Sequence, residues 1–570
     1  MRGEPVAAGE PGGAQAPRGG AGDPLSRRRF LAGALAAATA VAAGCSGGED
    51  ESGAGAAPGP AGEGPPETAA DMPPMPMSLP ADVFALGVAS GDPLADAVVL
   101  WTRVVSDPLA VGGGIPDQPL PVRWEVARDE GFDDVVASGD VVAEPAQAHS
   151  VHVEASGLAP DSWYWYRFSV GSWVSPVGRT RTTPRTGADA GALRFAVAAG
   201  QDYQDGWWPA HDHLAAEDVD LVVFLGDYID GERPRPGAAR VNATGAPDDL
   251  AGYRLRYGEY KADTALQAAH ARAPWLVAGD GHDAADDDIG PGDETGPGDE
   301  TGPGDETGPG DETGGRARRA AAYQAWYEHM PVRAARPEGA ALRVYRSLDW
   351  GTLARFYVLD GRQYRSAPVC DAPGGIGAAC GGLEDDDRTM LGADQEAWLG
   401  RRLAGSDARW NLVAQQTMVS GLLVDRGAGQ KVGNLDQWDG YPAARRRLID
   451  QLREVDNPVV LTGALHAGAV TLLTEQPDDP ASSPLAPEVV TASVSSTFPE
   501  PYAVLAEAAA GSPAVRYFEP ARRGYVLCRL ERRSLRAEFR YVDTTAAAQA
   551  GVATGATWVV TAGDPVPRPG

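Results

Sequence analysis

Two apolar runs near the middle of the chain most constrain its fold. Leu193-Arg194-Phe195-Ala196-Val197-Ala198-Ala199 and Val219-Asp220-Leu221-Val222-Val223-Phe224-Leu225 have strand length, and each runs into a glycine, Gly200 and Gly226. A strand that is apolar at successive positions must be covered on both faces, as in a sheet held between layers. Residues 207–217 between them carry a helical pattern, and strand, helix, strand builds a layered α/β core. In such sheets ligands gather outside the carboxyl ends of the strands. Asp227, directly after Gly226, is therefore placed where a carboxylate reaches a metal; a plain turn aspartate is the competing reading.

Residues 79–184 follow a different period. Ala97–Arg103, Val122–Val126, His149–Val153 and Trp163–Phe168 are short strand-like segments separated by turn residues, the pattern of a β-sandwich. Gly157-Leu158-Ala159-Pro160-Asp161-Ser162-Trp163-Tyr164-Trp165-Tyr166 resembles a run of fibronectin type III-like domains. His149 and His152, three apart on extended chain, point to opposite faces and are poor joint metal ligands. Thr182-Thr183-Pro184 closes this unit, and residues 185–192 form a Gly/Ala hinge.

The first 45 residues resemble an export signal. Arg27-Arg28 with Phe30 matches a twin-arginine signal, and the apolar run Leu31–Ala43 is too short to span a bilayer. Ala42-Ala43-Gly44-Cys45 resembles a lipobox, which would make Cys45 the acylated first residue; cleavage near Ala43 without a lipid is the alternative. Residues 46–78 are Gly, Pro, Ala and acid without apolar periodicity, a tether. Export to an extracellular or cell-surface location makes a disulfide between Cys370 and Cys380 the expected pairing, while Cys528, in an apolar run, reads as a buried strand residue. The 570 residues hold 49 Lys+Arg against 79 Asp+Glu, a net charge of −30. That excludes nucleic-acid binding by electrostatics and leaves a lipid anchor as the one route to a membrane. A monomer is expected.

Further motifs carry a family resemblance. Phe84–Pro93 and Val99–Arg103 open it. Gly226-Asp227-Tyr228-Ile229, Tyr253–Lys261, Tyr323–Arg333, Leu359–Arg365, Gln437–Tyr441 and Leu461–His466 follow in order. Together they resemble the alkaline phosphatase D (PhoD-like) family over about residues 80–545. The resemblance implies an N-terminal β-sandwich followed by a metallophosphoesterase α/β/β/α sandwich. On this reading residues 79–184 and 185–548 are the two domains, and 549–570 are a C-terminal tail. It also implies hydrolysis of a phosphate ester, either a small molecule or a cell-wall phosphodiester polymer. An Fe and Ca centre, with Mn or Zn as alternatives, would supply a bound hydroxide.

The ligand positions carry over unevenly. The family's Ala-Ser-Cys-Gln is Ala198-Ala199-Gly200-Gln201 here, so Gly200 stands in the thiolate position. Asp227 is kept, and Asp230 stands in for a tyrosine. The family's Trp-Asp-Asp-His-Glu becomes Gly279-Asp280-Gly281-His282-Asp283, and its Gly-Asp-x-His becomes Gly463-Ala464-Leu465-His466. Asp227, Asp230, Asp280 and His466 are thus the metal candidates, while Gly200, Gly281 and Ala464 offer no side chain. Asp202, Asp205, His211, His213, Asp280 and Asp283 are nearby substitutes, although His211 and His213, two apart, read as surface histidines. His282 is the candidate to protonate a leaving oxygen, with a buried structural histidine as the alternative. Arg362 is the candidate phosphate contact, with an ion pair to Asp360 as the alternative, and His329 reads as structural.

Gly-Pro-Gly-Asp-Glu-Thr repeats four times from Gly290 to Thr313, inside an insertion over 284–315. Its Gly and Pro spacing forbids helix or sheet and makes it a loop. Two functions follow: an exported phosphatase or phosphodiesterase, or a cell-surface binding or scaffold protein on the same fold with its metal site degenerate. A purple acid phosphatase-like enzyme ranks third, because its Gly-Asn-His and Gly-His-x-His motifs are missing.

Overall fold

The computed structural model describes residues 79, 82–279, 312–427, 429–477, 479 and 481–570. The export signal with Cys45, nearly all of the tether, the candidates Asp280, Gly281, His282 and Asp283, and nearly all of the repeat tract lie outside the described residues.

The N-terminal strands are β1 (Val88–Gly91), β2 (Ala97–Arg103), β3 (Leu120–Ala127), β4 (Val135–Ala143), β5 (Ser150–Ser156), β6 (Trp163–Val170), β7 (Trp173–Val174) and β8 (Gly178–Arg181). Alternation in β6 sends Tyr164, Tyr166, Phe168 and Val170 inward. One sheet runs β4-β3-β6-β7, with β8 also on β6. Its inner face meets Val88, Val98, Leu100, Val151 and Val153 of β1, β2 and β5. Two facing β layers are thus present, but the second is not freestanding.

The remaining elements begin with β9 (Ala192–Ala198), α1 (Pro209–Ala216), β10 (Leu221–Leu225), α2 (Leu250–Lys261), α3 (Thr264–Arg272), β11 (Trp275–Ala278) and α4 (Glu312–His329). Next come β12 (Arg346–Trp350), β13 (Ala354–Val358), β14 (Ile376–Ala378), α5 (Gly392–Ala404), β15 (Trp410–Gln415), β16 (Val424–Asp425), β17 (Lys431–Asn434) and α6 (Pro442–Leu452). The chain ends with β18 (Pro458–Thr462), β19 (Gly468–Thr474), β20 (Pro484–Val490), α7 (Ala503–Gly511), β21 (Val515–Glu519), β22 (Gly524–Glu531), β23 (Ser534–Val542), β24 (Val552–Thr561) and β25 (Asp564–Pro569).

Two large sheets result, in the orders β25-β24-β23-β22-β9-β10-β11-β1-β2-β5 and β12-β13-β15-β18-β20-β19-β21. The period-2 alternation of β9 and β10 explains their double burial. Leu193, Phe195, Val197, Leu221, Val223 and Leu225 face Phe356, Leu412, Val459 and Leu461 across the space between the sheets. Ala196, Ala198, Val222 and Phe224 face the other way, onto Leu214, Tyr253, Leu266 and Trp326 of the helices. On the far side Tyr357, Val413 and Val460 pack against Leu399 of α5 and Leu448 of α6. Asp249 and Asp263 start α2 and α3 by accepting hydrogen bonds from first-turn amides, as an N-cap carboxylate does.

The two expected domains share a sheet. β1 pairs in parallel with β11 through Gly91 and Trp275, so β1, β2 and β5 extend the central sheet. A Cβ on Gly91 would lie 2.0 Å from the Pro331 carbonyl oxygen, which shows how closely the chains approach here. The expectation of a C-terminal tail over 549–570 is corrected: β24 and β25 are a hairpin on the edge of the same sheet. The family resemblance ends near residue 545, so the sequence reading assigns no element beyond it; Pro565, Pro567 and Pro569 are tolerated there because an edge strand loses no ladder bond. Cys370 and Cys380 are joined by a disulfide with Cα atoms 5.7 Å apart, and Cys528 is buried in β22. Among the described residues no helix is long and apolar enough to cross a membrane.

Candidate functional site

Three strands deliver residues to one cleft. Gly200 follows β9, Asp227 follows β10, and His466 follows β18. The turns are tight, and Gly200, Gly226, Asp227 and His466 all hold positive φ, at 62°, 93°, 54° and 60°. For Asp227 and His466 that conformation is a local cost, of the kind found at sites held in place by their surroundings. A cleft of about 410 Å³ opens there, lined by Asp202, Asp205, Asp227, Asp230, Arg235 and His466, with Glu232, Glu500 and Phe498 at its margins.

His466 Nε2 lies 2.9 Å from Asp227 Oδ2, and His466 Nδ1 lies 3.1 Å from the Thr497 carbonyl oxygen. His466 thus ties the turn after β18 to Asp227 and to the Thr497 backbone. Asp230 Oδ1 accepts from the Glu232 amide at 2.6 Å. Arg235 Nη2 lies 2.5 Å from Asp202 Oδ2 and 2.8 Å from Asp205 Oδ1. Burial, followed by the charges of Asp230 and Asp205, pushes the Asp202 carboxyl up to about 7, while Arg235 pulls it down. Burial also raises the Asp205 carboxyl, but the Thr497 amide and Arg235 outweigh that and hold it below the usual range.

The sequence candidates separate here. Asp227, Asp230 and His466 come together, joined by Asp202 and Asp205 of the substitute set. His211 and His213 do not. His211 is fully buried, bonded to Gln201 Oε1 at 2.7 Å, and His213 bonds the Ala550 carbonyl; the surface expectation fails for His211. Arg362 does not line the cleft. Its Nη1 bonds Asp436 Oδ2 at 2.7 Å, and Arg365 bonds the other oxygen at 2.6 Å. The ion pair expected with Asp360 is thus made with Asp436; the Asp360 carboxylate instead accepts the amides of Arg362 and Gln363. His329 is buried and structural, its Nδ1 2.6 Å from the Ala325 carbonyl oxygen. Arg235, Ser496 and Thr497 escaped the sequence reading, because nothing local marks a residue that reaches the cleft through a loop.

The sequence carries two family-model matches. The PhoD-like phosphatase family matches residues 195–539, and the PhoD-like phosphatase N-terminal domain matches residues 69–184. The chain belongs to the PhoD-like phosphatase family. It is 39% identical over 486 residues to alkaline phosphatase D of Bacillus subtilis (strain 168), covering 84% of this chain and 80% of that protein. A solved structure of PhoD superposes with a TM-score of 0.77 at 37% identity, covering 85% of this chain and 92% of that one.

The PhoD-like family is one of metal-dependent phosphoesterases, so the cleft must be tested for a metal centre. The described residues do not fit one. Position 464 is alanine, and position 200 is a glycine whose Cβ would lie 2.6 Å from Ser493 Oγ and 3.2 Å from Ser496 Oγ. Asp202 and Asp205 are spent on a guanidinium. Among the described residues no group of three or more His, Cys, Asp or Glu is arranged to hold a metal ion.

Gly200 makes a direct prediction. Gly200→Ala should lower stability by about 1–3 kcal/mol, from the left-handed backbone and the contact with Ser493. Ser493→Gly in the same chain should recover the contact part only. Denaturant melts of the three proteins check this; a neutral Gly200→Ala would show that the turn is not held in this conformation.

Proposed function

We propose that this protein is an exported member of the PhoD-like family that keeps the phosphoesterase fold without the hydrolytic metal centre, and serves at the cell surface as a binding or scaffold module. The observation that carries this reading is the pair of bare ligand positions, Gly200 and Ala464, beside a cleft in which, among the described residues, no three His, Cys, Asp or Glu side chains are arranged to hold a metal ion. Asp202, Asp205, Asp227, Asp230, Glu232 and Glu500 face Arg235 and His466 across that cleft. Without bound cations, such a wall repels a phosphate ester rather than steering it in. The Arg27-Arg28 signal and the Cys370–Cys380 disulfide support export, with Cys45 as the residue that would carry a lipid. Facing β layers at the N-terminus support the fibronectin III-like reading. Two sheets between helices support the metallophosphoesterase sandwich.

A second reading, hydrolysis of a phosphate ester by a reduced cation set, is favoured by the retained Asp227 and His466. One experiment separates the two. The exported protein is purified, its bound Fe, Ca, Zn and Mn are measured, and bis-p-nitrophenyl phosphate is assayed with each ion over a range of pH. The expected result is substoichiometric metal and no turnover above the ion-only blank. Stoichiometric metal with turnover that Asp227→Ala and His466→Ala both abolish would overturn the binding-module reading.

A further inference from the structure

Resting on that functional reading, we propose that Arg235 is the resident cation of this cleft, standing among its carboxylates and closing it to divalent ions. One guanidinium nitrogen bridges Asp202 and Asp205, and Arg235 Nε lies 3.6 Å from Glu232 Oε2. The two aspartates are well covered, with side chains 11% and 15% exposed, whereas Arg235 is 43% exposed. The charge thus enters from the solvent side onto carboxylates fixed from beneath. Their other oxygens are already in use: Asp202 Oδ1 accepts from the Gln204 amide at 2.7 Å, and Asp205 Oδ2 accepts from the Thr497 amide at 2.6 Å.

The loop that carries Arg235 is tied to the same turn. The Arg235 amide donates to Gln204 Oε1 at 2.5 Å, and Gln204 Nε2 donates to the Arg233 carbonyl at 3.1 Å. Backbone and side chain therefore both hold the guanidinium over the aspartates. Every oxygen of Asp202 and Asp205 has a donor, so an incoming ion competes with Arg235 for Asp202 Oδ2 and Asp205 Oδ1. A guanidinium stays charged at any working pH and cannot polarise a bound water as a metal does. It satisfies the electrostatics of a metal site without its chemistry.

The test compares wild type, Arg235→Gln and Arg235→Lys, each titrated calorimetrically with CaCl2 and MnCl2 and melted with and without the ion. Arg235→Gln should bind at least one of the two ions about tenfold or more tightly than wild type. Its melting temperature should rise with that ion and fall again on chelation. Wild type and Arg235→Lys should respond to neither ion. Adding Asp202→Asn and Asp205→Asn to Arg235→Gln should abolish the gain. The assignment is overturned if Arg235→Gln stays inert, or if it folds neither with nor without ion, which would make Arg235 a purely structural residue. It is equally overturned if wild type itself binds an ion that Asp202→Asn removes. Phosphodiester turnover by wild type would instead sink the functional reading, so the two failures are distinguishable.

Discussion

Glu328→Gln should lower the unfolding free energy by about 3–5 kcal/mol, the range for removing one partner of a buried ion pair. Glu328 is fully buried on α4. Its two oxygens take Arg254 Nε at 2.7 Å and Arg254 Nη2 at 2.5 Å, and Oε1 also accepts from Gln324 at 2.7 Å. Close by is a second guanidinium, Arg103 of β2, bonded to the Ala148 carbonyl and to His329. Burial pushes Arg103 down to about 10, and Glu328 is the charge that pulls it back up. Glutamine keeps the volume and one acceptor, so no cavity confuses the result; what it removes is the counter-charge. The same residue's backbone carbonyl accepts from Trp101 Nε1 at 2.9 Å, which ties α4 to the N-terminal strands. Guanidinium chloride unfolding at constant m-value reads the loss. A loss under about 1 kcal/mol would mean that Arg254 and Arg103 find their counter-charge in solvent.

That cluster marks where the sequence stops being readable. The run from Tyr323 to Arg333 stood out as a motif, yet nothing in it names Arg254 or Trp101 as partners. Periodicity records which face of a strand or helix is buried, and it placed β6, β9 and β10 and the helix near residue 209 correctly. It does not record what covers that face. For the same reason residues 79–184 read as a separate sandwich. The apolar run of β2 and the alternation of β5 are the same whether their sheet ends there or continues through β1 onto β11. The C-terminal hairpin lies beyond the family resemblance, which ends near residue 545. In the cleft, Asp227 was legible because it follows a strand directly, whereas the bare positions Gly200 and Ala464 beside it were legible only through the family motifs. Arg235 was not, because its role depends on a loop folding back over Asp202 and Asp205. The segment with Asp280 and His282 is outside the described residues, so its part in the site rests on the sequence alone.

Acidification should unfold the protein early, and His211 should account for about 3 kcal/mol of that loss. Two positions from His213 on α1, it looked like half of a surface pair, but the helix turns it inward to full burial. Gln201 fixes its tautomer. Gln201 Nε2 donates to the Tyr228 carbonyl, so its Oε1 accepts from His211 Nε2–H. Nδ1 is buried with no partner among the described residues, and a proton added there would have nothing to bond. Burial accordingly pushes the imidazole down to about 4, and burial likewise holds His270 and His329 well below the usual histidine range. The native state therefore binds fewer protons than the unfolded chain between about pH 6.5 and 4. The stability these groups confer is complete above about 6.5, is lost as pH falls through that window, and changes no further once both states are protonated. Asp202 acts in the opposite sense: with its carboxyl raised to about 7, it disfavours the folded state as pH rises, and so recovers part of the loss on acidification. Burial also holds His149 and His152 low and raises the carboxyls of Asp212, Glu259 and Asp360; the large downward shifts of the buried histidines set the net slope. Stability measured in urea at pH 7.5 and pH 5 should show the drop in wild type. His211→Gln, which keeps a donor for Gln201, should flatten it by about 2 kcal/mol over that interval. An unchanged pH dependence in His211→Gln would mean that His211 becomes protonated without unfolding the helix that buries it.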